Sequence, residues 1–144
     1  MNILVSACLL GIDCKYNGSN NYNIDVIEYV KKYNAIPICP EQMAGFTTPR
    51  IPIEILDGKV IRKDGIDVTD NMKKGCEELK KYIKLYSPVL AVLKARSPSC
   101  GYKKIYDGTF TSKIVEGNGF ACQTILDSNI KVFTEEDIIY ELKR

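Results

Sequence analysis

Histidine is absent from this chain of 144 residues. Without histidine the chain cannot form a Ser-His-Asp triad, a Cys-His nucleophile pair or an imidazole metal site. Any proton transfer must therefore use carboxylates, lysine, tyrosine, cysteine or water. A site for a soft metal must likewise consist of sulfur ligands alone, or of sulfur together with oxygen.

The chain also lacks a strong charge bias and a long apolar segment. Its formal net charge is +2, whereas a nucleic-acid-binding domain usually carries a basic stripe, so we expect no nucleic-acid partner. No run approaches the roughly 18 apolar residues of a membrane span, and Met1–Ser6 lacks the basic start of a signal peptide. We therefore expect a cytoplasmic protein without a membrane partner, in which thiols stay reduced. In that setting, six cysteines favour metal binding or catalysis over disulfides.

Apolar, strand-like runs alternate with helix-like segments along the whole chain, which is the pattern of βαβ units. We predict a single Rossmann-like α/β domain over residues 1–144. In this three-layer fold, a mostly parallel sheet of about four strands lies between helices. The predicted strands are Asn2–Ser6, Ala35–Cys39, Val89–Leu93 and Ile130–Phe133. Asp57-Gly58, between two short apolar runs, predicts a small β-hairpin insert.

Three cysteines, Cys8, Cys39 and Cys100, come at or shortly after the ends of predicted strands. The carboxyl ends of parallel strands open onto one edge of a sheet, where ligands bind. Two long loops, at 40–53 and 95–112, also follow strands and are expected at the same edge. Three soft thiolate ligands at one edge indicate a metal or iron–sulfur site rather than scattered core residues.

The other three cysteines fall into two groups. Cys14 lies in a polar loop six residues after Cys8, a spacing unlike the C-x-x-C of most zinc knuckles. Cys76 and Cys122 lie on apolar helix faces, so we expect both in the core. No local metal signature is therefore present, and the predicted site depends on tertiary convergence.

Several motifs resemble those of the TudS-like family, the thiouracil desulfidases, which grew out of a domain of unknown function. They are Ser-Ala-Cys-Leu-Leu-Gly at 6–11, Cys-Pro-Glu at 39–41, Pro49-Arg50, Ser-Pro-Ser-Cys-Gly at 97–101 and Asp-Gly-Thr-Phe at 107–110. The resemblance covers essentially the whole chain. It implies a [4Fe–4S] cluster held by Cys8, Cys39 and Cys100, with one iron left without a protein ligand and open to the sulfur of a thiolated base. It gives Cys14 no ligand role.

The resemblance further implies that Glu41 and Ser97 are catalytic and activate a water molecule. The expected reaction is a non-redox desulfidation, in which the C=S group of a thiolated nucleobase such as thiouracil becomes C=O and hydrosulfide is released. An open iron suits this reaction because it is a Lewis acid with affinity for thione sulfur. Because histidine is absent, a carboxylate such as Glu41 is a suitable base.

Alternative interpretations of the metal site remain open. The same open cluster would serve an enzyme that acts on another small thio-compound. Alternatively, Cys14 could join the three predicted ligands in a closed Cys₄ site, which would make a structural or redox module rather than an enzyme. The sequence leaves the oligomeric state undefined.

The polar and aromatic residues also have structural alternatives. Glu41 could only hydrogen-bond its own loop, and Ser97 could only start a turn before a proline. The free amides of Gly117–Gly119, at the predicted start of a helix, could bind an anion or a base oxygen, or could simply begin the helix. Tyr16 and Phe46 could stack on a base or simply pack.

Overall fold

The computed structural model describes residues 1–142. Its strands are β1 (Asn2–Ser6), β2 (Asn34–Ile38), β3 (Ile53–Leu56), β4 (Lys59–Arg62), β5 (Leu90–Leu93), β6 (Lys104–Tyr106), β7 (Ile114–Glu116) and β8 (Lys131–Thr134). Its helices are α1 (Ile24–Val30), α2 (Pro40–Met43), α3 (Thr69–Tyr86), α4 (Phe120–Asp127) and α5 (Glu135–Leu142).

Four strands form one parallel sheet in the order β2-β1-β5-β8. Strand β5 is buried along its whole length, as expected for a central strand covered on both faces. Helices α3 and α4 cover one face, where Leu4 and Ile125 are fully buried. Helices α1 and α5 cover the other face, where Val5 and Val26 are fully buried. The predicted three-layer α/β fold is therefore confirmed.

Two antiparallel hairpins lie outside this sheet. Strands β3 and β4 are joined by Asp57-Gly58, and both of these residues have positive φ, so the predicted hairpin is confirmed. Strands β6 and β7 form a second hairpin, which begins within the segment 95–112 that the sequence predicts to be a loop. Each of its strands has three residues, which is too few for an alternating pattern to be recognised.

The chain turns sharply as soon as it leaves β1 and β2. A 3-10 turn, Ala7–Leu10, follows β1 without a gap. Helix α2 follows β2 across Cys39 alone and begins at Pro40, a residue whose fixed φ suits the first helical position. These short elements, which the sequence pattern does not predict, keep the cysteines at the edge of the sheet.

The longest described helix, α3, has 18 residues and is amphipathic. Met72, Cys76 and Leu79 form its buried stripe, and its exposed face carries ion pairs that join Lys80 to Glu77 and Lys81 to Glu78. None of the helices in residues 1–142 combines the length and the apolar character needed to cross a membrane.

Candidate active site

A cavity of about 470 Å³ lies beyond the carboxyl ends of β1, β2 and β5. The three predicted ligands Cys8, Cys39 and Cys100 line this cavity, and so do Glu41 and Ser97. The structure thus brings together every site residue predicted from the sequence, from three separate segments of the chain. The volume falls in the range of about 300–1,000 Å³ that is usual for small-molecule sites.

A fourth cysteine, Cys14, also lines the cavity and is almost fully buried. Hydrogen bonds with the Cys14 thiol lower the pKa of Cys8 and that of Cys39 to about 7 each. The positive charges of Lys94, near Cys8, and of Arg50, near Cys39, act in the same direction. The hydrogen bonds with Cys39 and Cys8 raise the pKa of Cys14.

The Cys100 thiol has a different environment. Its burial raises its pKa, and a hydrogen bond with the Ser6 hydroxyl opposes that effect. A buried thiol of this kind gives up its proton when it binds a metal, because only the thiolate is a ligand.

The Glu41 carboxylate is held from both sides. The Arg50 Nε donates to its Oε1 at 3.0 Å, and the Ser99 hydroxyl donates to its Oε2 at 3.0 Å. The Ser99 Oγ lies in turn 2.9 Å from the Ser97 Oγ. Glu41 is therefore the end of a hydrogen-bonded chain that includes both predicted catalytic residues, with Ser99 between them.

The direction of this chain follows from the number of bonds at each oxygen. The Ser97 Oγ accepts the backbone N–H groups of Ser99 at 3.1 Å and of Cys100 at 3.0 Å. Both of its lone pairs are then occupied, so its own proton is free to point to Ser99. The Ser99 Oγ accepts a hydrogen bond from Ser97, and its single hydrogen points to the Glu41 Oε2 at 3.0 Å rather than to the Cys100 Sγ at 3.8 Å. Ser97 thus stabilises the turn that carries Cys100. It also sets the direction of the hydrogen bonds that run from Ser97 through Ser99 to the Glu41 carboxylate.

Arg50 fixes this corner of the site. Besides Glu41, its guanidinium donates to the Cys14 carbonyl at 2.8 Å and to the Thr48 hydroxyl at 2.9 Å. Its side chain is only 8% exposed. Because each nitrogen of its guanidinium donates to a different partner, Arg50 connects the segments that contain Cys14, Glu41 and Thr48.

Comparison with other proteins agrees with this geometry. A sequence profile of the 2-thiouracil desulfurase family matches residues 3–137. The chain belongs to this family. The uncharacterized protein YbbK of Bacillus subtilis (strain 168) is 36% identical to it over 146 residues, which cover 94% of this chain and 97% of YbbK. The solved structure of TudS, a [4Fe–4S]-dependent thiouracil desulfidase, is similar with a TM-score of 0.87 at 31% identity, over 99% of this chain and 97% of TudS.

The cysteines at the cavity offer only sulfur as a soft ligand, and sulfur is the donor that an iron–sulfur cluster uses. Within residues 1–142, no three Cys, Asp or Glu side chains converge closely enough to hold one metal ion. In a [4Fe–4S] cluster each thiolate binds a different iron, so the ligands surround a larger group instead of meeting at a point. The cysteines are free thiols, and four of them line the cavity, so their number and chemistry suit such a group.

The backbone amides at the start of helix α4 bond within the protein, which favours an ordinary helix start over the binding of an external anion. The Gly119 N–H donates to the Gly101 carbonyl at 2.7 Å, and the N–H groups of Ala121 and Cys122 donate to the Ser99 carbonyl at 2.9 and 3.1 Å. A Cβ on Gly119 would lie 2.5 Å from the Ser99 carbonyl. In this family member the start of helix α4 therefore hydrogen-bonds to, and packs closely against, the loop that carries the serines and Cys100.

The two aromatic residues for which the sequence leaves stacking or packing open lie in different places. Tyr16 lines the cavity, but Phe46 packs in the small core beside Met72. Phe110, which the sequence identifies only as part of a motif, lines the cavity with Tyr106.

Proposed function

We propose that this chain is an iron–sulfur-dependent desulfidase that converts the C=S group of a thiolated nucleobase such as thiouracil to C=O and releases hydrosulfide. One observation carries the proposal: free thiols from separate strand ends share a cavity with a half-buried carboxylate on a hydrogen-bonded chain of serines. Membership of the 2-thiouracil desulfurase family and the similarity to TudS support it.

The residues proposed to hold a [4Fe–4S] cluster are Cys8, Cys39 and Cys100. When bound, the cluster supplies a Lewis-acidic iron without a protein ligand, with affinity for thione sulfur. Cys14, which lines the same cavity, is proposed to stay outside the ligand set and to donate a hydrogen bond to the ligand sulfurs. A donor in that position orients the ligands and tunes the sulfur charge.

Glu41 is proposed as the base that takes a proton from water. Each of its oxygens accepts one bond from the protein, from Arg50 or from Ser99, and retains a lone pair for water. Addition of that water to the ring carbon and cleavage of the carbon–sulfur bond yield a carbonyl, hydrosulfide and one proton. No electron acceptor or donor is needed.

Ser97 is proposed to act on Glu41 through Ser99. Its oxygen already accepts two backbone N–H groups, so it has no lone pair left to hold the water directly. The serine chain instead fixes the carboxylate in the orientation in which it meets water, and this form of preorganisation lowers the barrier. Ser97 therefore remains essential in this proposal, as a residue that positions the base.

The experiment that tests this function is anaerobic purification followed by iron and sulfide analysis and incubation with 2- and 4-thiouracil. We expect about four irons and four sulfides per chain, and uracil and hydrosulfide in equal amounts. A protein loaded with its cluster that yields neither product from either compound would contradict the proposal.

A closed Cys₄ site is the second candidate, and the burial of Cys14 at the cavity is the observation that favours it. In that case Cys14→Ser would lose iron as completely as Cys8→Ser. In the proposed open site, Cys14→Ser keeps its iron.

A further inference from the structure

The segment Asp107–Phe110 reaches the cavity wall at Phe110, and it takes no part in the hydrogen-bonded chain at Glu41. Phe110 lines the cavity with a backbone φ of 58°. A bulky residue in this left-handed region is unusual and persists only where its surroundings impose it. Strain of this kind concentrates at ligand sites. The contacts that impose this backbone conformation on Phe110 therefore bear on its function.

A buried carboxylate holds this segment in place. Glu54, in β3, is 9% exposed, and its Oε1 accepts the backbone N–H groups of Gly108 and Phe110 at 3.1 Å each. Hydrogen bonds to an ionised acceptor are about twice as strong as neutral ones. The second hairpin is thus tied to the first through the backbone on either side of Thr109.

The rest of the motif favours the same placement. Gly108 has φ of 92°, and a Cβ there would lie 2.7 Å from the Leu56 Cβ and 2.8 Å from the Ile55 carbonyl oxygen. Only glycine fits so close to β3. Asp107 Oδ1 accepts both the N–H and the hydroxyl of Thr109, at 3.0 and 2.6 Å. All four residues of the motif therefore help to present Phe110 at the cavity.

We propose that Phe110 contacts the ring of the substrate and selects flat heteroaromatic thiones, and that Glu54 is the residue that positions it. This inference rests on the proposed function and adds the substrate-recognition element to it. An aromatic face suits this task because every nucleobase has a π-face that can stack on it. The reacting C=S group can then face the thiols and Glu41, on other parts of the cavity wall.

The positioning role of Glu54 can be tested without turnover. We expect Glu54→Ala to speed amide hydrogen exchange of peptides covering residues 107–112 by about tenfold or more, because their acceptor is lost. Glu54→Gln, which keeps an oxygen acceptor without the charge, is expected to give a smaller change. Glu77→Gln on the exposed face of α3 is the matched control and should leave this segment unchanged. Unaltered exchange in both Glu54 variants would overturn the role.

The ring contact is tested by calorimetric titration of the cluster-loaded protein with uracil, and by kcat and KM for 2-thiouracil. Stacking on an aromatic side chain predicts that Phe110→Ala and Phe110→Leu weaken uracil binding by about 5- to 100-fold. Phe110→Tyr, which keeps the ring, should bind as the wild type does. We expect KM to rise more than kcat falls, with iron content unchanged.

A double-mutant comparison tests whether Glu54 affects uracil binding only through Phe110. If Glu54 acts only through Phe110, the double alanine variant should bind uracil no more weakly than Phe110→Ala. Equal uracil binding by wild type and Phe110→Ala would overturn the inference, whatever the turnover. If the loaded wild type binds uracil through Phe110 yet converts neither thiouracil, the proposed reaction fails while the ring contact stands.

Discussion

Removal of the Ser99 hydroxyl is the sharpest perturbation of the proposed catalytic chain. Ser99→Ala deletes the donor to Glu41 Oε2 at 3.0 Å and the acceptor for Ser97, and it leaves the backbone N–H bonds to Ser97 in place. The turn that carries Cys100 should therefore survive. The carboxylate remains paired with Arg50 but is free to rotate about that single contact.

The size of the effect follows from the type of bond that is lost. A hydrogen bond to a charged group contributes about 1.5–3 kcal/mol, which corresponds to a fall in kcat of about 10- to 100-fold if the transition state depends on it. The same loss leaves the half-buried Ser97 hydroxyl without its protein acceptor, and we expect the free energy of unfolding to fall by about 0.5–1.5 kcal/mol.

The assay is the anaerobic loss of 4-thiouracil absorbance, with iron content and thermal unfolding measured on the same preparation. We expect kcat to fall while KM and the brown cluster absorbance stay near their wild-type values. Ser99→Thr, which keeps the hydroxyl, should recover part of kcat. Ser128→Ala is the control, since it removes an exposed hydroxyl bonded to a helix carbonyl. A Ser99→Ala protein with wild-type kcat would refute the role assigned to the serine chain.

Other variants test separate parts of the site. Glu41→Gln should lower kcat by about 10²- to 10⁴-fold with iron retained, as expected for loss of a general base; wild-type turnover would exclude that role. Cys14→Ser should keep both iron and turnover, and loss of the iron would support the closed site. Gly119→Ala places a Cβ 2.5 Å from the Ser99 carbonyl, so we expect about 1–3 kcal/mol of destabilisation together with a lower iron content. A Gly119→Ala protein with wild-type iron content and thermal stability would contradict the close packing of α4 against this loop.

The sequence predicts the features that depend on local pattern and on strand direction. The continuous apolar run of β5 and the turn at Asp57-Gly58 both appear in the structure as predicted. Cys39 and Cys100 are far apart in the chain, but the rule that parallel strands end at one edge places both at the cavity.

Features that depend on single long-range contacts were beyond prediction. Ser99 bonds Glu41 across 58 positions, and Glu54 bonds Phe110 across 56. Neither pair leaves a periodicity or a spacing that can be recognised in the chain. The glycine at 119 looks like an ordinary helix start until the loop packed against it is known. The available signal for Ser99 was its place in Ser-Pro-Ser-Cys, beside a predicted ligand.

Mössbauer spectroscopy of the protein loaded anaerobically with ⁵⁷Fe tests the central claim most directly. If Cys8, Cys39 and Cys100 alone hold the cluster, roughly one iron in four should differ from the other three, and 2-thiouracil should change the signal of that iron only. Four equivalent irons that do not respond to 2-thiouracil, or a spectrum that needs Cys14 for its cluster signal, would contradict the open site.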